Sequence, residues 1–238
     1  MNMKILVTGS TQGIGKAIAA AFVKEGDEVF VHCSKDKEKA ERIRKEIGAT
    51  GAVIADLSDM REVRGLYKKT GAVDCLILNA SVQYKQQWQE ITEEAIDRQF
   101  SVNVKSTLLL MQAYYPAMKE NGFGRIITIG SVNQNRCHPE LSLYSATKCA
   151  VMRLVKNIAK EAAPFGVTVN NVSPGAIDTP RNADVYNNSD LRRKVESAIP
   201  MGRFGTPEDC AGVVLFLCGK DGGYITGADI AVDGGMSL

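Results

Sequence analysis

The feature that most constrains this chain is a rhythm. Short runs that are apolar almost throughout (MKILVT, EVFVHC, GAVIAD, VDCLIL, RIITIGS, VTVNNVS, ADIAVD) alternate with segments whose apolar residues return every three or four positions. A strand apolar on both faces needs cover on both faces, and the intervening helical segments supply it. Helices are expected at about residues 13–24 and 36–47, as a short element after Ser58, as a long stretch reaching Asn121, from about Ser142, and at about 207–217. This order implies an α/β chain with one doubly wound, Rossmann-type parallel sheet and helices on both faces. No linker, repeat or low-complexity segment divides it, so residues 1–238 are read as a single domain.

One stretch breaks the rhythm. Residues 176–206 are polar, rich in Asn, Arg and Asp, and read as a long loop between the sixth strand and the last helix. Loops of that length usually serve as lids or binding segments.

Composition narrows the partners. The 238 residues carry a formal charge of +2 with acids and bases interspersed, which argues against nucleic acid or an anionic membrane as a partner. No apolar run is long enough to span a bilayer, and MNMKILVTG reads directly as a strand, so a cytoplasmic location is expected. The six cysteines form no CxxC pair and are not spaced with His32 and His138 as zinc ligands. Reduced thiols and no metal are expected.

The first strand runs into VTGSTQGIGKAIAA, which opens the first helix. Gly9 permits the tight turn, Gly13 lets backbone approach a pyrophosphate at the helix N-terminus, and Gly15 lets that helix pack on the sheet. The loop Gly9, Ser10, Thr11, Gln12, Gly13, Ile14, Gly15 is therefore the expected phosphate cradle. Its spacing is GxxxGxG and not the commoner GxGxxG. The second strand ends in His32, Cys33, Ser34 and Lys35, where NAD-binding chains usually carry a carboxylate for the ribose hydroxyls. Without that acid, a hydroxyl at Ser34 and a cation at Lys35 suit the 2′-phosphate of NADP, with NAD as the alternative. Asp56 and Leu57 end the third strand and Asn79 and Ala80 follow the fourth, both at carboxyl ends where doubly wound sheets bind ligands. Ser58 is the expected cap of the next helix.

The run LSLYSATKCA places Tyr144 and Lys148 one turn apart on a stripe continued by Val151, Val155, Ile158 and Ala162. An ammonium beside a buried phenol favours phenolate and draws its pKa down from about 10, which suits a group exchanging a proton with an alcohol or carbonyl. Ser131 closes the fifth strand, where its hydroxyl can bond a substrate oxygen. Asn103 interrupts an apolar row of Ile96, Phe100, Thr107, Leu108 and Met111, and a buried amide needs partners, such as a water or a backbone carbonyl.

Together, TGSTQGIG, Asn79-Ala80, Asn103, Ser131, YSATK at 144–148, Ser173-Pro174-Gly175 and ITGADIAVDGG resemble the short-chain dehydrogenase/reductase family along essentially the whole chain. The resemblance implies a seven-stranded sheet and a tetrad of Asn103, Ser131, Tyr144 and Lys148. In that scheme Tyr144 is the proton donor and Ser131 orients the substrate oxygen. Lys148 binds the nicotinamide ribose, and Asn103 fixes a water in the proton relay. Pro174, Gly175, Ile177 and Thr179 adjoin the nicotinamide. It further implies a homotetramer built on the long helices.

The overall pattern is closest to 3-oxoacyl-acyl-carrier-protein reductases, with three departures. Leu78-Asn79-Ala80-Ser81 replaces the usual Asn-Asn-Ala-Gly. Gln12 stands where many NADP-dependent members carry a basic residue. Gly122 and Phe165 stand where carrier-docking arginines are usual. A free small ketone, sugar or polyol is thus an equal candidate substrate, and the polar Asn133, Gln134 and His138 hint at hydroxyl groups on it.

Overall fold

The computed structural model describes residues 2–238. Seven parallel strands, β1 (Lys4–Val7), β2 (Glu28–Cys33), β3 (Gly51–Ile54), β4 (Cys75–Leu78), β5 (Gly124–Ile129), β6 (Val167–Pro174) and β7 (Asp229–Val232), lie in the order β3-β2-β1-β4-β5-β6-β7. The order reverses between β1 and β4, and the carboxyl ends of these two strands open a crevice at that point. Period-two alternation divides even a uniformly apolar strand. Leu6 joins the core on one face of the sheet, while Ile5 and Val7 join the other.

The helices between strands are α1 (Gly13–Lys24), α2 (Lys37–Ile47), α3 (Met60–Thr70), α4 (Glu93–Phe100), α5 (Ser106–Asn121) and α6 (Ser142–Ala162). After β6 come α7 (Ala183–Tyr186), α8 (Ser189–Ser197) and α9 (Pro207–Cys218). Helices α3, α5 and α6 cover one face through residues such as Leu66, Tyr114 and Val155. Helices α1 and α9 cover the other through Ile18, Phe22 and Val214. Each such side chain contributes about 1.5–3 kcal/mol on burial.

Three expectations are corrected. The long stretch reaching Asn121 is helical from α4 to α5, but Ser101–Lys105 forms a wide π turn between them. That extra residue rotates the buried face, so Ala95 and Gln99 face inward while Ile96 and Phe100 are exposed. The polar segment 176–206 is not a bare loop, since it carries α7 and α8, and Ile177 bridges to Gly205 to close it back on itself. Asp59, not Ser58, caps α3, accepting from the Arg61 amide at 2.9 Å. All six cysteines are free; Cys137 and Cys149 are exposed and the other four are buried.

Candidate active site

A cleft of about 600 Å³ runs along the carboxyl ends of the strands, from the glycine loop to Tyr144. At the loop, Gly9 (φ 64°) and Gly13 (φ 53°) adopt left-handed backbone that favours glycine. A Cβ at Gly15 would strike the Asn79 amide and lie 2.6 Å from the Gly9 carbonyl oxygen. Helices α2, α3 and α9 are capped by Asp36, Asp59 and Thr206, whereas α1 has no side-chain cap and no acid in its first turn. Its orphan N–H groups and positive dipole end remain available to an anion.

The loop is held from behind. Asn79 donates through Nδ2 to the carbonyls of Thr8 (2.9 Å) and Gly9 (3.1 Å), and Thr8 Oγ1 accepts from the amides of Asn79 and Ala80. Ser10, expected to meet the cofactor, is fully buried. It donates to the Val7 carbonyl (2.7 Å) and accepts from the His32 amide (2.8 Å), so its hydroxyl is committed to the scaffold. His32 Nδ1 accepts from the Gly9 amide at 3.0 Å, which leaves Nε2 to donate to the Ala55 carbonyl at 3.0 Å. Burial pushes this imidazole down to about 4, keeping it neutral.

Further along, Ser34, Asp56 and Leu57 line the cleft, but Lys35 does not. Lys35 is 75% exposed and pairs with Asp56 at 3.3 Å. Lys39 and Arg98 are the cations that line this end, and Lys39 Nζ donates to Gln12 Oε1 at 2.6 Å. Arg98, also unforeseen, lies 3.5 Å from Asp56. Burial of Asp56 opposes its ionisation, but hydrogen bonds from the Ser58 amide and hydroxyl, then Lys35 and Arg98, outweigh it and hold the carboxyl below its ordinary range.

At the other end, α6 carries Tyr144 and Lys148 on its inward face, 3% and 4% exposed. Lys148 Nζ donates to the Ile129 carbonyl at 2.7 Å and sits 5.5 Å from the Tyr144 ring centroid. Burial works against a Tyr144 phenolate. Lys148 and then Arg181, with hydrogen bonds from Ser81 and Ser131, more than offset it, so the phenol lies below its ordinary value. Burial likewise lowers Lys148, and Arg181 adds to that, with Tyr144 opposing. Ser131, Pro174, Gly175, Ile177 and Thr179 line the same end.

Asn103 finds the backbone-carbonyl partner that a buried amide needs. Its Oδ1 accepts from the Val82 amide (2.9 Å), while Nδ2 donates to the Val82 carbonyl (2.9 Å) and to Thr147 Oγ1 (3.1 Å). Both amide hydrogens go to protein atoms, so the side chain braces α6 against the segment at Val82.

Arg181 and Ser81 escaped the sequence reading. Arg181 Nη2 donates to the Ser81 carbonyl (2.8 Å) and Oγ (3.1 Å) across a separation of 100 residues. The only signal was the Ser81 departure itself, since nothing local to Arg181 announces its neighbour. Among the described residues, no cluster of His, Cys, Asp and Glu could hold a metal ion, and no helix is long and apolar enough to cross a membrane.

Residues 9–237 match the family model described as Enoyl-(Acyl carrier protein) reductase. The chain is 36% identical over 244 residues to Dehydrogenase/reductase SDR family member 4 of Sus scrofa, covering 99% of this chain and 88% of that protein. It is 35% identical over 231 residues to the Cyclic-di-GMP-binding biofilm dispersal mediator protein of Escherichia coli (strain K12), covering 97% and 95%. The crystal structure of a 3-oxoacyl (acyl-carrier-protein) reductase from Agrobacterium tumefaciens C58 with NADP bound is similar at a TM-score of 0.91 and 33% identity, over 98% of this chain and 93% of that one. Matched almost from end to end by that family model and by relatives sharing over a third of its residues, the chain belongs to the short-chain dehydrogenase/reductase family.

Proposed function

We propose that this chain is an NADP-dependent oxidoreductase that interconverts a ketone and a secondary alcohol. The observation that carries the reading is the placement of Tyr144, Lys148 and Ser131 in the same cleft as the glycine loop. The residues present fit the dinucleotide. Gly9 and Gly13 leave the turn open, α1 offers an uncapped N-terminus to pyrophosphate, and Lys39 and Ser34 supply a cation and a hydroxyl for a 2′-phosphate. Lys35 and Arg98 neutralise Asp56, the carboxylate that would otherwise repel it.

When bound, the reduced nicotinamide supplies hydride to the carbonyl carbon. Tyr144 gives its phenolic proton to the carbonyl oxygen, leaving a phenolate that the Lys148 ammonium stabilises. Ser131 donates to the same oxygen and fixes its position. In the oxidative direction the Tyr144 phenolate takes the hydroxyl proton. Pro174, Gly175, Ile177 and Thr179 would flank the nicotinamide and Lys148 would hold its ribose, while Asn103 positions α6. The chain acts as a single domain, assembled as a homotetramer in the cytoplasm.

The NADP-bound relative supports this cofactor assignment. An NAD-linked sugar or polyol dehydrogenase is the second reading, favoured by Asn133 and His138 on the cleft wall. The relative named for cyclic-di-GMP binding raises ligand sensing without turnover as a third. Tyr144, Lys148 and Ser131 together weigh against it, because a sensor has no need of an acidified phenol. The test is titration with NADPH and NADH, then a carbonyl panel followed by loss of nicotinamide absorbance. Tight NADPH binding and turnover are expected. Binding of NADH alone, or binding with no turnover of any carbonyl, overturns the reading.

A further inference from the structure

The two ends of the cleft differ in how their charge is balanced. Toward the glycine loop, Asp56 faces Lys35 and Arg98, and it is the single carboxylate lining the cleft among the described residues. Toward Tyr144, the wall carries Lys85, Arg136 and Arg181. None of these three forms an ion pair within 4.0 Å among the described residues, although eight such pairs tie other side chains of the chain together. They come from three separate segments: the stretch after β4, the loop after Ser131, and the turn opening the 176–206 segment.

Arg181 is the informative one. A single nitrogen, Nη2, makes both of its hydrogen bonds, and both go to uncharged oxygens of Ser81. Its Nε and Nη1 protons have no protein acceptor in these bonds, so the planar fork retains donors for a second partner. It also lies near enough to Lys148 to oppose that buried ammonium, a like-charge juxtaposition that an anion between them would relieve.

We infer that the substrate is an oxo or hydroxy acid, its carboxylate held by Arg181 with Arg136 and Lys85 adding to the attraction, while its carbonyl or alcohol carbon lies at Tyr144. The assignment rests on the oxidoreductase reading above and gives it a substrate class. A bidentate guanidinium contact suits a planar carboxylate, and the same cations suit a phosphate monoester, so the test includes both. The polar Asn133, Gln83 and His138 on the same wall fit hydroxyl groups along the acid. Unscreened cations at the mouth also steer anions inward, an effect that salt weakens.

The experiment compares matched pairs with the NADPH-loaded protein: acetoacetate against acetoacetamide, levulinate against levulinamide, and dihydroxyacetone phosphate against dihydroxyacetone. Initial rates give kcat/KM, and thermal shift gives binding independently of turnover. A charged member preferred by about ten- to a hundredfold is expected. The preference should fall toward one in Arg181→Gln, recover in part in Arg181→Lys, and shrink as salt rises. The dihydroxyacetone phosphate pair, if it alone shows the preference, replaces carboxylate by phosphate and overturns the acid assignment. Turnover of amides at the same kcat/KM as acids overturns the inference and leaves the oxidoreductase reading standing. If nothing is turned over, that reading fails. The anion site then stands if acids alone raise the melting temperature in an Arg181-dependent way, and falls if they do not.

Discussion

The Lys148 ammonium lies 5.5 Å from the centre of the Tyr144 ring and is tethered to the Ile129 carbonyl at 2.7 Å, so the cation cannot swing away from the phenol without losing a buried hydrogen bond. Strand β5 thus fixes the electrostatics of a group on α6. Removing the cation in Lys148→Met leaves burial opposed only by Arg181 and the hydrogen bonds of Ser81 and Ser131, so the Tyr144 pKa rises. In the alcohol-oxidising direction, where phenolate is required, the rising limb of the pH–rate profile is expected to move to higher pH. At neutral pH kcat is expected to fall by about a hundredfold or more. Steady-state kinetics across pH checks both.

Tyr144→Phe removes the proton donor while leaving the ring in place. Turnover is expected to drop by about 10²–10⁴-fold with NADPH affinity changed little, because only the transition state loses an interaction. Unchanged turnover in this variant eliminates Tyr144 as the acid.

Gly15→Ala puts a methyl group against the Asn79 amide and 2.6 Å from the Gly9 carbonyl oxygen, both part of the rigid loop support. The loop must shift to admit it. NADPH binding is expected to weaken by about tenfold or more, since a small displacement misplaces the phosphate donors. Fluorescence titration of the reduced nicotinamide measures it.

The two lysines near β2 separate cleanly. Lys39 lines the cleft and Lys35 does not, so Lys39→Met is expected to reduce NADPH affinity by about tenfold relative to NADH, while Lys35→Met alters the ratio little. The reverse ranking returns the 2′-phosphate to Lys35.

His32 couples stability to pH. Burial lowers it to about 4 in the folded protein against an ordinary 6.5, so between these values the unfolded chain binds the extra proton. Its contribution is complete above about pH 6.5 and declines as pH falls toward 4, by up to about 3 kcal/mol. Urea unfolding from pH 7 to pH 4 should show that decline for the wild type and a smaller one for His32→Gln.

Much of this molecule was legible in one dimension because its signals are local. Alternation of apolar runs with helical periods follows from covering a parallel sheet on both faces, and Gly9, Gly13 and Gly15 mark a turn whose backbone other residues cannot adopt without strain or collision. Tyr144 and Lys148 share a face because α-helical geometry places residues four apart together.

What escaped the sequence depends on contacts between distant segments. The face of α4 was misread because the π turn at Ser101–Lys105 shifts the helical phase, and nothing in SVNVK announces the extra residue. Ser10 looked like a phosphate contact until His32 claimed its hydroxyl from 22 residues away, and Lys35 looked like the phosphate cation until Asp56 held it outside the cleft.

The sequence by itself determined the layered α/β architecture, the glycine turn and the pairing of phenol with ammonium, because each is set by spacing along the chain. Only the tertiary structure decided which cations line the cleft, what Asn103 braces, and that Arg181 reaches Ser81 beside Tyr144. These are meetings across tens of residues, and their geometry is set by how the sheet and helices pack, not by any local preference of the residues that meet.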